Sequence, residues 1–130
     1  MSLHRSRSNP TDLSEHTFSL CIAAYRLRSK MPRAVKHDLG AHLCNATVTL
    51  AVLATRAYVP ARRHQSLEAL LEEVNVVWLY LRILHAAESL STSHYASLSE
   101  QVAQVEKQAK AWLSWHKSHS AQSDTQTTTI

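Results

Sequence analysis

The sequence holds a single glycine in 130 residues, with 3 prolines, 2 cysteines and 1 phenylalanine. One glycine excludes a Gly-rich phosphate loop, where several positions must lack a Cβ so that backbone amides can wrap an anion. The shortage of Gly and Pro also argues against a sandwich or barrel, whose many tight turns draw on those residues. No apolar run approaches the roughly 18–20 residues of a membrane-spanning helix, so no membrane partner is expected. No apolar stretch follows the N-terminal charges, as it would in a secretory signal. Cys21 and Cys44 are therefore read as reduced thiols of a cytoplasmic protein.

What the chain does have is Leu, Ala and Val, within an apolar fraction of 45%. That palette suits helices. Charge is unevenly placed. Residues 1–63 carry 10 basic and 3 acidic side chains, a net of +7, whereas residues 64–130 carry 4 and 7, a net of −3. The 9 histidines add cationic capacity at lower pH or beside a polyanion.

Four helices are predicted between a polar arm at residues 1–11 and a disordered Ser/Thr/Gln-rich tail at 118–130. The first spans about Asp12 to Ser29, with Leu13, Leu20, Ala24 and Leu27 as its stripe and Phe18, Cys21 and Tyr25 on the flank. The second spans about Pro32 to Tyr58 and carries Leu39, Leu43, Ala46, Leu50, Leu53 and Ala57 on one face. Gly40 falls inside it, where glycine weakens a helix and so implies close packing within the chain or across a subunit boundary. The third, from about Arg62 to Ser89, presents Leu67, Leu70, Val74, Val77, Leu81 and Leu84. The fourth, from about Ser93 to Lys117, repeats Tyr95, Leu98, Val102, Val105, Ala109 and Trp112 as a heptad seam. Short links make neighbours antiparallel, so the expected fold is an all-α, up-down-up-down four-helix bundle over residues 12–117.

Catalytic and metal chemistry find little support. The histidines match no helical zinc or di-iron spacing, so no metal and no cofactor are expected. Glu72 and Glu73 are adjacent and do not converge, and neither Arg33/His37 nor Arg82/His85 has the spacing of the helical RNase motif. The chain is read as a non-enzyme without a small-molecule substrate. A Cys21–Cys44 bridge is geometrically open in a hairpin of the first two helices, but buried thiols in a helical core are the commoner outcome in a cytoplasmic protein.

The basic half is the best signal. Arg26, Arg28, Lys30, Arg33, Lys36 and His37 flank the first hairpin, and Arg56, Arg62 and Arg63 flank the next. Such clusters neutralise phosphates without reading bases, so these nine residues are the candidate nucleic-acid contacts, solubilising helix-end charge being the plain alternative. Arg82, among Trp78, Leu81 and Leu84, needs either a carboxylate partner, solvent or an intersubunit surface. Trp112 is expected in the core and Trp115 off the seam as an exposed contact. Val48, Val52 and Val76 fall off the main stripes, which a homo-oligomer would explain.

Several short runs carry a resemblance. Met31-Pro32-Arg33 with Lys36-His37 and Leu39-Gly40, then Trp78-Leu79-Tyr80-Leu81-Arg82-Ile83-Leu84, Leu90-Ser91-Thr92-Ser93 with Tyr95, and Trp112-Leu113 are involved. Together they resemble the small four-helix bundles encoded in intervening sequences of bacterial ribosomal RNA genes, and most closely the accessory variability protein (Avd) branch from diversity-generating retroelements. The resemblance implies a homopentameric barrel that binds a reverse transcriptase and template RNA or cDNA to support mutagenic retrohoming. Arg82, Trp78, Trp115 and Gly40 would then lie at the reverse-transcriptase or subunit interface. In that branch the third helix often carries a second Arg one turn before the position of Arg82, where this chain has Trp78. Residues 64–130, which hold most of the third helix and all of the fourth, are also net acidic. Both departures leave the basic first half to hold nucleic acid. The alternative function is a self-assembling bundle that mediates protein–protein contact only.

Overall fold

The computed structural model describes residues 10–128, with side chains described for residues 12–120. It consists of α1 (Pro10–Arg28), α2 (Arg33–Lys36), α3 (Leu39–Arg56), α4 (Pro60–Ala86) and α5 (Thr92–Thr128), with no strand among the described residues. α2 is a single turn, and the other four are the expected long helices. α1 packs on α3, α3 on α4 and α4 on α5, and α5 closes back onto α1. Short links between successive helices give this ring of neighbours its up-down-up-down course.

The stripes face inward as their periodicity demands. Leu13, Leu20, Ala24 and Leu27 of α1 meet Leu43, Ala46, Leu50 and Ala54 of α3. Leu67, Leu70, Val74, Val77, Leu81 and Leu84 of α4 and Leu98, Val102, Val105, Ala109 and Trp112 of α5 complete one continuous core. Each fully buried Leu or Val contributes roughly 1.5–3 kcal/mol relative to exposure, so this core is the main source of stability. Two buried threonines stay satisfied by bonding backward along their own helices: Thr17 Oγ1 donates to the Ser14 carbonyl and Thr47 Oγ1 to that of Cys44.

The helix ends have identifiable causes. Pro60 starts α4, and Val59 before it is extended, as a residue preceding proline must be. Ser91 caps α5, its Oγ accepting the His94 amide at 3.1 Å. α4 ends where Glu88 turns left-handed (φ 61°). There the Ser89 amide donates to Leu84 O at 2.9 Å and the Glu88 amide to His85 O at 3.0 Å. That pair of bonds is the Schellman closure, with glutamate at the position that usually holds glycine.

The expected second helix divides in two. The Arg28 Nε donates to the Lys36 carbonyl at 2.7 Å, taking the acceptor that an unbroken helix would offer to the Gly40 amide. Asp38 then leaves helical geometry (φ −123°, ψ −98°) and α3 begins afresh. Gly40 is buried at this fold-back. A Cβ there would lie 2.9 Å from Met31 Sδ, 3.2 Å from the Val35 carbonyl and 3.3 Å from Arg28 Cγ. The close packing that a helical glycine implies is thus made within the chain.

The expected arm at residues 1–11 lies outside the described residues except for positions 10 and 11, which begin α1. Residues 118–128, expected in a disordered tail, continue α5 as helix; no Gly or Pro stops it. Residues 129 and 130 lie outside the described residues.

Candidate nucleic-acid interface

The basic residues gather at the two ends of α3. Its 18 residues separate them by about 27 Å at 1.5 Å per residue. At the hairpin end are Arg26, Arg28, Lys30, Arg33, Lys36 and His37, from α1, α2 and their links. At the far end are Arg56, Arg62 and Arg63, from the end of α3 and the first turn of α4. The two groups therefore share no single pocket.

Two open pockets bracket the last turns of α1. One, of about 220 Å³, is lined by Tyr25, Arg28, Ser29, Lys36 and His37. The other, of about 160 Å³, lies against the start of α5 and includes Arg26, Lys30, His94, Ser97 and Gln101. No carboxylate lines either one. Asp38, the nearest acid in sequence, is turned toward His42, with 3.6 Å between Oδ1 and Nε2. The local field at this end is therefore positive, and several N–H donors point into space large enough for a phosphate.

Two of the nine candidates also have a structural task. Arg28 is half-buried and holds the α2 carbonyl of Lys36. Arg63 is half-buried over Trp112, its Cζ 4.9 Å from the ring centre. Its Nε donates to Ala57 O at 2.8 Å and its Nη2 to Tyr58 O at 3.3 Å. It therefore closes the last carbonyls of α3 and has little freedom to follow a ligand. Arg26, Lys30, Arg33, His37, Arg56 and Arg62 are exposed.

The far end is also rich in imidazole. His64 and His116 lie with ring centres 6.4 Å apart, and His64 Nε2 is 3.3 Å from Glu68 Oε2. Burial, then the charges of Arg63 and His64, hold the His116 pKa below the usual imidazole value. His119 stacks on Trp115 at 4.1 Å.

The candidate interface residues behave differently from one another. Arg82 is exposed, so its charge meets solvent and needs no buried partner. Trp115 is 50% exposed and Trp112 is buried, as expected. Trp78 is half-buried, and its indole donates to Glu106 Oε1 on α5 at 3.2 Å. Gly40 is enclosed by its own chain.

A second surface lies between the basic ends. α3 has no Lys, Arg, Asp or Glu from Leu39 to Thr55. Its outward Val48 and Val52 are exposed, as are Phe18 and Tyr25 on α1 and Val76, Leu79 and Ile83 on α4. On α5, by contrast, the exposed positions include Glu100, Gln104, Lys107 and Lys110. The remaining exposed positions of α3 before Arg56 are His42, Asn45, Thr49 and Thr55, so this face is uncharged rather than wholly apolar. Exposed apolar side chains grouped on one side of a domain favour a covering partner.

The two thiols sit beside this surface. Cys21 Sγ donates to the Thr47 carbonyl at 3.2 Å; both cysteines are free and half-buried. Burial raises both thiol pKa values, at Cys44 against the opposing charge of Arg28. Both are weak nucleophiles for that reason. Among the described residues no three His, Cys, Asp or Glu side chains converge as a metal site, and no helix is long and apolar enough to cross a membrane.

Tyr25 and His94 did not figure among the candidate contacts. Tyr25 was legible only as a flank of the α1 stripe, although it directly precedes Arg26 and lies three residues before Arg28. An aromatic at the head of a basic run is the signal that could have marked it. His94 is brought to α1 by tertiary packing alone. No family model matches the chain, and neither a curated protein nor a solved structure does.

Proposed function

We propose that this chain is a non-enzymatic accessory protein that holds nucleic acid on its basic ends and joins copies of itself through the uncharged outer face of α3, around Val48 and Val52. The observation that carries the first part is the hairpin end. Arg26 and Lys30 line one pocket there and Arg28, Lys36 and His37 the other, with no carboxylate in either wall, and Arg33 is exposed nearby on α2. The mechanism is electrostatic: cationic side chains displace counterions from phosphates and so hold the strand without reading its bases. The uncharged stretch of α3 supports the second part. A surface without charge offers nothing to a charged partner and is self-complementary when a second copy presents it.

The likeness to accessory variability proteins gives the finer proposal. In it the nucleic acid is template RNA or cDNA of a diversity-generating retroelement. The protein partner is its reverse transcriptase, with exposed Arg82 and Trp115 as contacts, and the assembly is a pentamer. A cytoplasmic location belongs to the same proposal. The uncharged face of α3 also favours one competing reading, a self-assembling scaffold with protein partners only.

Filter binding of the full chain to RNA across a salt series separates the two. Affinity that falls steeply with salt supports the proposal, and a charge reversal at Arg26, Lys30, Arg33 and Lys36 to Glu should abolish it while helical content persists. Absence of binding to any nucleic acid leaves the scaffold. Light scattering of Val48→Glu/Val52→Glu tests assembly: a smaller particle is expected, and an unchanged one overturns the α3 contact. Co-purification with a co-expressed reverse transcriptase tests the retroelement assignment.

A further inference from the structure

We infer that the pocket between α1 and α2 is a subsite for one nucleotide of a single strand, with Tyr25 as the stacking platform for its base. The inference rests on the nucleic-acid reading above and narrows it from any polyanion to unpaired RNA or DNA.

The geometry supplies both halves of such a subsite. Tyr25 is 69% exposed, far more than an aromatic ring needs for packing in a bundle of this size. It shares the pocket with Arg28, Ser29, Lys36 and His37. Three of these are cationic or can become so, and Ser29 adds a hydroxyl. Arg28 is held in place by its bond to the Lys36 carbonyl, so its remaining N–H groups are pre-oriented. Anchoring the phosphate at Lys36 and His37 leaves the adjoining base within reach of the phenol ring.

Pairing state follows from the ring. Bases in a duplex are stacked on each other and turn only their edges outward, so a surface tyrosine has no face to stack on. An unpaired base offers its π-face whatever its identity. The second pocket, with Arg26, Lys30 and His94, lies on the opposite flank of α1. A helix is about 10 Å across, so a short strand can place phosphates in both pockets. A free mononucleotide would leave that second cluster unused.

The test is fluorescence anisotropy with the full chain and three labelled probes. They are oligouridylate and oligothymidylate of about 12 nucleotides and a duplex of the same length. Wild type should bind both single strands more tightly than the duplex. Tyr25→Ala should weaken single-strand binding about fivefold or more and leave duplex binding unchanged, while Tyr25→Phe retains wild-type affinity. Lys36→Gln, which keeps the backbone carbonyl used by Arg28, should reduce the salt slope by about one. Circular dichroism checks that each variant is folded. Equal losses on single strand and duplex in Tyr25→Ala, or none on either, would overturn the subsite. Wild type that prefers the duplex, or binds it equally, overturns the subsite but leaves the nucleic-acid reading standing. Binding to none of the probes overturns both.

Discussion

The guanidinium of Arg63 lies over the indole of Trp112 while donating to the carbonyls of Ala57 and Tyr58. One side chain thus ties the start of α4 to the end of α3 and to the core ring of α5. Arg63→Ala should destabilise the bundle by about 2 kcal/mol, from lost charge-assisted bonds and the cation–π contact. Arg63→Lys should recover little, because an ammonium cannot fork to two carbonyls and stack flat. Its exposed neighbour is the control: Arg62→Ala should change stability by no more than about 0.5 kcal/mol in urea melts.

Glu88 occupies a left-handed position that glycine adopts freely. Glu88→Gly should therefore stabilise the chain by about 0.5–1 kcal/mol, aided by removal of a negative charge from the C-terminal end of α4. Glu88→Ala separates the two causes, since it removes the charge and keeps the strained Cβ. A higher thermal midpoint for Gly than for Ala is the expected order.

Gly40→Ala has opposing effects. Alanine gains about 1 kcal/mol of helix propensity. Its Cβ would, however, press on the Val35 carbonyl at 3.2 Å and the Met31 sulfur at 2.9 Å. Forcing atoms into a filled site costs about 1–3 kcal/mol, and a backbone carbonyl cannot swing aside as a thioether can. A net loss of about 1 kcal/mol is expected from denaturant midpoints. Adding Met31→Ala to Gly40→Ala should relieve the clash with sulfur but not the one with Val35.

His116 gives stability a pH dependence. Its pKa is lowered in the folded chain, so the unfolded chain binds the proton first as pH falls. The stabilising contribution is complete above the ordinary imidazole value near 6.5 and is lost as pH drops through the lowered folded value. Thermal midpoints should decline on acidification across that window, and His116→Gln should flatten the decline. His64→Gln removes one of the charges that disfavour protonation, so the His116 titration followed by NMR should move up.

The four long helices were legible because a stripe of period 3.6 can be buried in only one way. Leu20, Leu50, Val77 and Val105 all lie where the spacing puts them. The break after Lys36 was not legible. It depends on Arg28 reaching eight residues along the chain to take a carbonyl, a contact that no local propensity encodes. The same limit applies to the basic residues. Arg62 and Arg63 are adjacent and chemically identical, yet one is in solvent and the other clamps a turn. Residue type located the two clusters, whereas packing decides which members are free to bind. The exposure of Val48, Val52 and Val76 was readable as positions off the stripe, but the exposure of Phe18, Leu79 and Ile83 on the neighbouring helices is decided by packing.

An even number of long helices has a practical consequence. α1 begins beside the α3–α4 turn, where Tyr58 meets Trp112, and α5 runs on past that turn to Thr128. Pro10 and Thr128 therefore both lie on that side, with the length of the bundle between them and Tyr25. A fusion partner, affinity handle or surface tether joined at Pro10 or Thr128 would leave the α1–α2 pocket facing away and unobstructed.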